Sequence, residues 1–268
     1  MSESLRVQLN GRDATVDELA AGLLSGHGHF TAMQVRQYRT RGLDFHFARL
    51  DAATRELFGV GLSAERVRGH LRQALGEDTR DASVRVNVFS APQLTPTPPE
   101  PDTQISILIS VRPPYTMPTG PVSLRTVPYQ RPFAHLKHVG GFAQGRYLDL
   151  VKQSGFDEAL LVAHDGTVSE GAITNIAFTS DETVIWPDAP MLHGIGMQVL
   201  ERELATAGVP SLRRRVTVND LASFDGSFVT NSRGAAAVGR IDERDIPVDA
   251  PFLAKVLGLF EAAPWDAL

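Results

Sequence analysis

The stretch Pro113-Pro114-Tyr115-Thr116-Met117-Pro118-Thr119-Gly120-Pro121 constrains the fold more than any other part of the chain. Proline lacks an amide hydrogen and fixes φ, so neither a helix nor a central strand runs through such a crowd of prolines. The chain is therefore divided there, and the segments on each side carry the patterning of a sheet of their own. A length of 268 residues accommodates two domains at the usual ~100–200 residues each. The expected boundaries are a small N-terminal α/β domain over 1–115, a linker over 116–123 and a larger C-terminal domain over 124–268 that carries Lys137 and Glu170.

Before the break, Leu5 to Leu9 reads as a strand closed by the turn pair Asn10-Gly11. Phe30 to Val35 alternates as a second strand. It follows Ser25-Gly26-His27-Gly28-His29, whose glycines fit a tight turn, a close approach to a ligand or a plain connecting loop. Helical spacing runs from Phe45 to Phe58. A second helix, Ser63 to Leu75, has Ser63 as N-cap and Arg66 where a capping box would carry Glu. The period then changes to two in Val84-Arg85-Val86-Asn87-Val88, and Ile105 to Val111 is a largely apolar strand. Pro92, Pro96, Pro98, Pro99 and Pro101 between them make a loop of polyproline character, either a stiff hairpin connection or a ligand for a proline-binding partner.

After the break, Leu124 to Val127 is extended and Phe142 to Gln153 fits a helix ending before Gly155. Glu158 to Ala163 is a strand entering the turn His164-Asp165-Gly166, and Thr174 to Thr179 and Val184 to Trp186 continue the sheet. Met197 to Ala207 is a helix stopped by Gly208, the residue type that most readily takes the left-handed cap conformation. Phe228 to Thr230 and Ala236 to Ile241 are further strands, followed by a helix from Pro251 to Ala262. The class is α/β, of the α+β type.

Composition narrows the partners. With 43% hydrophobic and 21% charged residues the chain is an ordinary globular one. A net charge of −5 with both signs interspersed argues against nucleic acid or an anionic membrane as partner. No run reaches the ~18–20 apolar residues of a membrane helix, and Met1 to Leu9 lacks the order of a signal peptide, so a cytoplasmic protein is expected. The absence of cysteine removes disulfides, thiolate metal sites and a cysteine nucleophile. His27 and His29 lack the carboxylates or spacing of a metal site, and no metal is expected.

Two stretches carry chemistry. His135-Leu136-Lys137-His138 contains a lysine able to hold an aldehyde, and Val168-Ser169-Glu170-Gly171-Ala172-Ile173-Thr174-Asn175 contains a carboxylate able to hold a ring nitrogen. Taken singly, each is an ordinary surface residue in most proteins. The second stretch, with Asp157-Glu158-Ala159-Leu160-Leu161 and the Asp165-Gly166 turn before it, resembles the signature of the class IV aminotransferases, the fold-type IV pyridoxal-phosphate enzymes. Branched-chain aminotransferases, D-amino-acid aminotransferases and aminodeoxychorismate lyases belong to that group. Its other landmarks follow in order: Gly26-His27-Gly28-His29-Phe30-Thr31, His46-Phe47-Ala48-Arg49-Leu50, Lys137, Gly194-Ile195-Gly196 and Thr230-Asn231-Ser232. The resemblance covers nearly the whole chain. It implies a two-domain fold-type IV enzyme with pyridoxal 5'-phosphate in the cleft between a small N-terminal and a larger C-terminal domain, and a homodimer.

Residue by residue, the resemblance makes Lys137 the lysine that holds the cofactor as a Schiff base and then shuttles a proton. Glu170 becomes the carboxylate that keeps the pyridine nitrogen protonated, so that the ring serves as an electron sink. Arg49 matches a phosphate-binding arginine, although by spacing alone it is an exposed residue of an amphipathic helix. The amides of Ile195 and Gly196 at a helix N-terminus and the hydroxyl of Ser232 add phosphate donors, and Asn175 belongs to the cofactor-binding motif. For the substrate's carboxylate, Thr31, Gln34, Arg112 and Arg233 are candidates, with His29 beside them; Arg112 fits a surface strand end equally well, and His27 and His29 fit ordinary loop histidines.

The departures keep the reaction open. Gly196 and Met197 stand where the family commonly has threonine and arginine, which removes a hydroxyl contact but leaves the backbone donors. Phe142 stands five residues after the lysine, where branched-chain aminotransferases carry tyrosine. Lys137-His138 and the Gly-His-Gly-His-Phe-Thr segment are closer to aminodeoxychorismate lyases, whereas Gly140-Gly141 is similar to the branched-chain group. The expectation is an aminotransferase acting on an amino acid and a 2-oxo acid, with a pyruvate-eliminating lyase and a non-catalytic family member as alternatives.

Overall fold

The computed structural model describes residues 5–90, 105–118 and 120–268, and the proline loop 92–101 lies outside the described residues. In chain order, the first elements are β1 (Arg6–Leu9), β2 (Arg12–Asp13), α1 (Val16–Ser25), β3 (Gly28–Val35), β4 (Arg39–Thr40), α2 (Leu43–Phe58), α3 (Ala64–Leu75), β5 (Ala82–Phe89) and β6 (Ser106–Arg112). Then come β7 (Val122–Pro128), α4 (Phe142–Gln153), β8 (Glu158–Val162), β9 (Val168–Gly171), β10 (Asn175–Ser180) and β11 (Thr183–Pro187). The remainder is α5 (Ile195–Thr206), β12 (Ser211–Arg214), β13 (Gly226–Asn231), β14 (Gly234–Ile241), β15 (Arg244–Asp245), α6 (Pro251–Ala262) and β16 (Asp266–Ala267). No helix among the described residues is long and apolar enough to cross a membrane.

Contacts divide the chain into two compact units. One holds Met1–Tyr115, Leu136–Gly140 and Trp265–Leu268; the other holds Thr116–His135 and Gly141–Pro264. Lys137 therefore groups with the first unit, whereas the sequence reading carries it in the block 124–268. The reason is an open sheet edge, described below.

The first unit is built on an antiparallel sheet in the order β2-β1-β6-β5-β3. Alternation along β5 sends Val84, Val86 and Val88 to one face and Arg85 to the other. That apolar face, with Met33, Val35, Ile107, Ile109 and Val111, is covered by Leu50, Val67, Leu71 and Leu75 from α2 and α3. Ser63 caps α3 by accepting the amide of Arg66, as the sequence indicates. Helix α1 is an element that the sequence reading misses. It starts at a capping box, in which Thr15 and Glu18 each accept the other's backbone N–H, and it ends at Gly26 with φ 57.

The second unit carries a mixed sheet in the order β12-β11-β10-β13-β14-β7-β8-β9, with β15 on β14. Strands β7 and β8 are parallel and need a crossover, which α4 supplies. Every residue of β8 is buried. Leu160 and Val162 pack with Ile176, Phe178 and Val238, while Ala159 and Leu161 pack with Val151 of α4 and with Phe156. The β10–β11 turn places Asp181 at φ 48 and Glu182 at φ 54, as a two-residue hairpin with right-handed strand twist requires. Strands β9 and β12 are also absent from the sequence reading.

Candidate functional site

In the first unit the site begins at the edge of the sheet. Strand β3 is an outer strand, and its outward backbone groups need partners. The segment around Lys137 supplies them. Phe30 N donates to Lys137 O at 2.9 Å, Val139 N donates to Gly28 O at 2.9 Å, and His29 and His138 form an antiparallel bridge. Lys137 is thereby fixed by its backbone, and its Nζ lies 5.0 Å from the centre of the Phe30 ring. Arg85 stacks on that ring as well, with Cζ 3.6 Å from its centre.

On the helix-facing side of β3, a chain of buried polar groups leads to Arg49. His46 and Arg49 sit three residues apart on α2 and so share a face. Arg49 Nη2 donates to Thr31 Oγ1, which lies 2.6 Å from His46 Nδ1. Burial first, then the charges of Arg49 and Lys137, hold the His46 imidazole well below its ordinary range, so the ring is neutral. The Thr31 hydroxyl thus bridges Arg49 and His46, and the imidazole tautomer follows the direction of the second bond. The Nε2 of His46 and the Nε of Arg49 are both enclosed and have no hydrogen-bond partner among the described residues. Burial lowers Arg49 to about 10, which leaves it cationic at neutral pH.

His29 forms a parallel arrangement. Thr54 Oγ1 donates to Leu50 O at 2.7 Å and so accepts from His29 Nε2 at 2.9 Å, while burial and then Arg49 bring the imidazole down to about 4. Thr31 thus belongs to the Arg49 cluster. Gln34 does not: its Nε2 donates to Ser83 Oγ at 2.9 Å and its Oε1 accepts Tyr115 N at 2.8 Å, which ties β3 to β5 and to the end of the unit. Arg112 is exposed at the end of β6, before Pro113.

In the second unit Glu170 is 4% exposed at the end of β9. Arg131 Nη1 donates to its Oε1 at 2.9 Å, and Leu192 N donates to its Oε2 at 3.3 Å. A carboxylate so enclosed needs an opposite charge and further donors, and it has them. The carbonyl of Leu192 accepts from Asn175 Nδ2 at 2.7 Å, so the backbone of one residue clamps Glu170 and Asn175 together. Asn175 therefore secures the turn that leads into α5, and a side chain on Gly194 would clash with its Oδ1.

Helix α5 starts at Gly194 with no side-chain cap, and the amides of Ile195 and Gly196 fall in the first turn, where no intrahelical acceptor exists. The β13–β14 turn lies against this helix start. A Cβ on Gly196 would sit 2.5 Å from Thr230 Oγ1 and would also collide with Asn231 O. The same turn carries Ser232 and the exposed Arg233, whose N donates to Asn231 Oδ1 at 2.8 Å. Arg131, His46 and Leu192 are the participants that the sequence reading does not single out. His46 has a signal in its i, i+3 spacing to Arg49; Arg131 has none, and Leu192 acts only through its backbone.

Comparison with known proteins places the chain. The family model for Amino-transferase class IV matches residues 28–241. A probable branched-chain-amino-acid aminotransferase of Rickettsia felis is 33% identical over 96 residues, which is 35% of this chain; the match spans about a third, 32%, of that relative's length. Among solved structures, a branched-chain aminotransferase from Thermoproteus uzoniensis superposes with a TM-score of 0.81 at 20% identity, covering 95% of this chain and 93% of its own. A 4-amino-4-deoxychorismate lyase from Pseudomonas aeruginosa gives 0.80 at 26% identity, covering 94% and 96%. The fold is that of the fold-type IV aminotransferases, and with most of its length matched the chain belongs to the class IV aminotransferase family, whose members depend on pyridoxal phosphate.

Proposed function

We propose that the chain is a pyridoxal-phosphate-dependent aminotransferase that moves an amino group between an amino acid and a 2-oxo acid. The observation that carries the cofactor assignment is the pair of enclosed nitrogens, His46 Nε2 and Arg49 Nε, left without hydrogen-bond partners among the described residues beside a half-buried guanidinium. The enclosed N–H of Arg49 calls for an acceptor, and a phosphate fits the cation. Arg49, the first-turn amides of Ile195 and Gly196, and Ser232 would hold the phosphate. Glu170, already oriented by Arg131 and Leu192, would accept the N–H of the pyridine ring, and Lys137 would attach the cofactor through its amine. When bound, the cofactor supplies an electron sink for the charge left when a proton departs from an amino acid's α carbon. Lys137 Nζ would take that proton.

For the substrate's carboxylate, Arg112 and Arg233 stay candidates, since both are exposed cations, whereas Thr31 and Gln34 already serve other groups. A homodimer and a cytoplasmic location complete the reading on family grounds. Incubation of the purified protein with pyridoxal phosphate should give a visible absorption band. An amino-acid panel should then produce 2-oxo acids only when an acceptor is present. A preparation that stays colourless would sink the proposal.

A second reading, a lyase that eliminates pyruvate, is favoured by the 26% identity to the Pseudomonas aeruginosa lyase across nearly its full length and by Phe142. Pyruvate released from aminodeoxychorismate without an acceptor would establish it over transfer.

A further inference from the structure

Strand β8 opens with a glutamate among apolar residues, and Glu158 is only 6% exposed. Its Oε1 accepts the N–H of Ile173 at 2.8 Å, and the carbonyl of the next residue, Ala159, accepts the N–H of Ala172 at 2.9 Å. Two consecutive residues of β8 thus hold two consecutive amides of the turn 171–174 that joins β9 to β10. The turn closes on itself through Gly171 N and Thr174 O at 2.9 Å. Around it there is no slack, because a methyl group on Gly171 would meet Thr174 Oγ1 and come within 3.1 Å of Glu158 Oε1. Ala172 packs among Val151, Phe156 and Leu161, whereas the side chain of Ile173 is 44% exposed, so at Ile173 the bond to Glu158 is what ties the turn down. Glu170 immediately precedes the turn, and Asn175 immediately follows it.

We propose that Glu158 is a positioning residue: its carboxyl group fixes the turn 171–174 and so sets the direction of Glu170, without itself touching substrate or cofactor. This rests on Glu170 being the partner of the ring nitrogen. The charge state of Glu158 is consistent with such a role. Burial pushes it up to about 7, opposed by the Ile173 amide, by Thr174 and by the cations Lys152 of α4 and Arg233 of the β13–β14 turn. An opened turn returns the carboxyl to water and to its ordinary 4.5, so the closed turn holds the proton more tightly. Closure therefore weakens as pH rises from 4.5 to about 7 and levels off above that.

The experiment is amide hydrogen exchange on the full chain with pyridoxal phosphate added, for wild type, Glu158→Gln and Glu158→Ala, combined with turnover. In Glu158→Ala the Ile173 amide should exchange about tenfold faster while the amides of β10 keep their protection. Glu158→Gln keeps an acceptor oxygen, so it should retain most of the protection and lose its dependence on pH. Turnover of Glu158→Ala should fall about tenfold, yet the Glu158→Ala/Glu170→Gln pair should be no slower than Glu170→Gln alone, because both act through one group. Unchanged exchange at Ile173, or losses that simply add, would overturn the proposal. If Glu158→Ala does not fold, Glu158→Leu, which keeps the volume and drops the acceptor, takes its place, and unchanged exchange at Ile173 in it overturns the proposal equally. A protein that stays colourless with the cofactor removes the reading of Glu170, whereas a coloured protein with additive losses removes Glu158 alone.

Discussion

The guanidinium of Arg131 lies 2.9 Å from the carboxylate of Glu170, with the two side chains 5% and 6% exposed. Removing Arg131 takes the opposite charge from beside an enclosed carboxylate. Arg131→Met should therefore cost about 3–5 kcal/mol in urea unfolding. Adding Glu170→Gln should restore much of that loss, since no buried charge remains. A cost under about 1 kcal/mol would mean that water reaches the pair.

Stability should fall on acidification above the range where carboxylates titrate. His29 and His46 are neutral in the folded protein, His29 titrating only near 4, whereas both take up protons near 6.5 once unfolded. The unfolded chain thus binds more protons across that window, and stability drops as pH falls through it. For His29 alone the loss is on the order of 3 kcal/mol. His29→Gln should flatten the difference between unfolding at about pH 7 and about pH 5. An unaltered slope would show that His29 is protonated when folded.

Lys137 is held through its backbone, so its side chain is dispensable for the fold. Lys137→Ala should melt with the wild type, but after incubation with pyridoxal phosphate and borohydride only the wild type should carry a phosphopyridoxyl adduct, detected by mass spectrometry. A stable adduct on another lysine of the variant, formed as efficiently, would withdraw the assignment.

Gly196→Ala brings a methyl group against Asn231 O and Thr230 Oγ1, both anchored on β13. We expect a cost of about 1–3 kcal/mol and a cofactor affinity lowered about tenfold, as the start of α5 shifts. Gly145→Ala in α4 brings the new methyl within 4 Å of nothing beyond its own stretch of helix backbone and should stabilise by about 0.5–1 kcal/mol. Thermal unfolding and a cofactor titration separate the two effects.

Elements with a full local signature are legible in the sequence. Helices α4 and α6 run over the residues that the spacing indicates, one followed by a glycine and the other opened by a proline. Helix α1 also has local cues, the capping box of Thr15 and Glu18 and Gly26 at its end, and the sequence reading passes over them. Strand β9 is buried on both faces yet carries Ser169 and Glu170, and β12 is exposed throughout, so neither shows alternation. At the site, motif order points to Glu170 and Arg49 but gives no hint of what holds them. Arg131 lies 39 residues from its partner, and Leu192 contributes backbone groups that any residue except proline could supply.

The pairing of β16 with β4 bears on how the protein is made. Asp266 and Ala267 lie opposite Thr40 and Arg39, Leu268 N donates to Tyr38 O at 3.0 Å, and Arg72 Nε donates to Leu268 O at 2.9 Å. The first unit to be synthesised is thus also the last to be completed. Its sheet and helices emerge early from the ribosome, but this margin stays open until residue 268 has been translated. Chains truncated before residue 265 should accordingly be clipped near residues 38–43 by a protease that leaves the 268-residue chain intact.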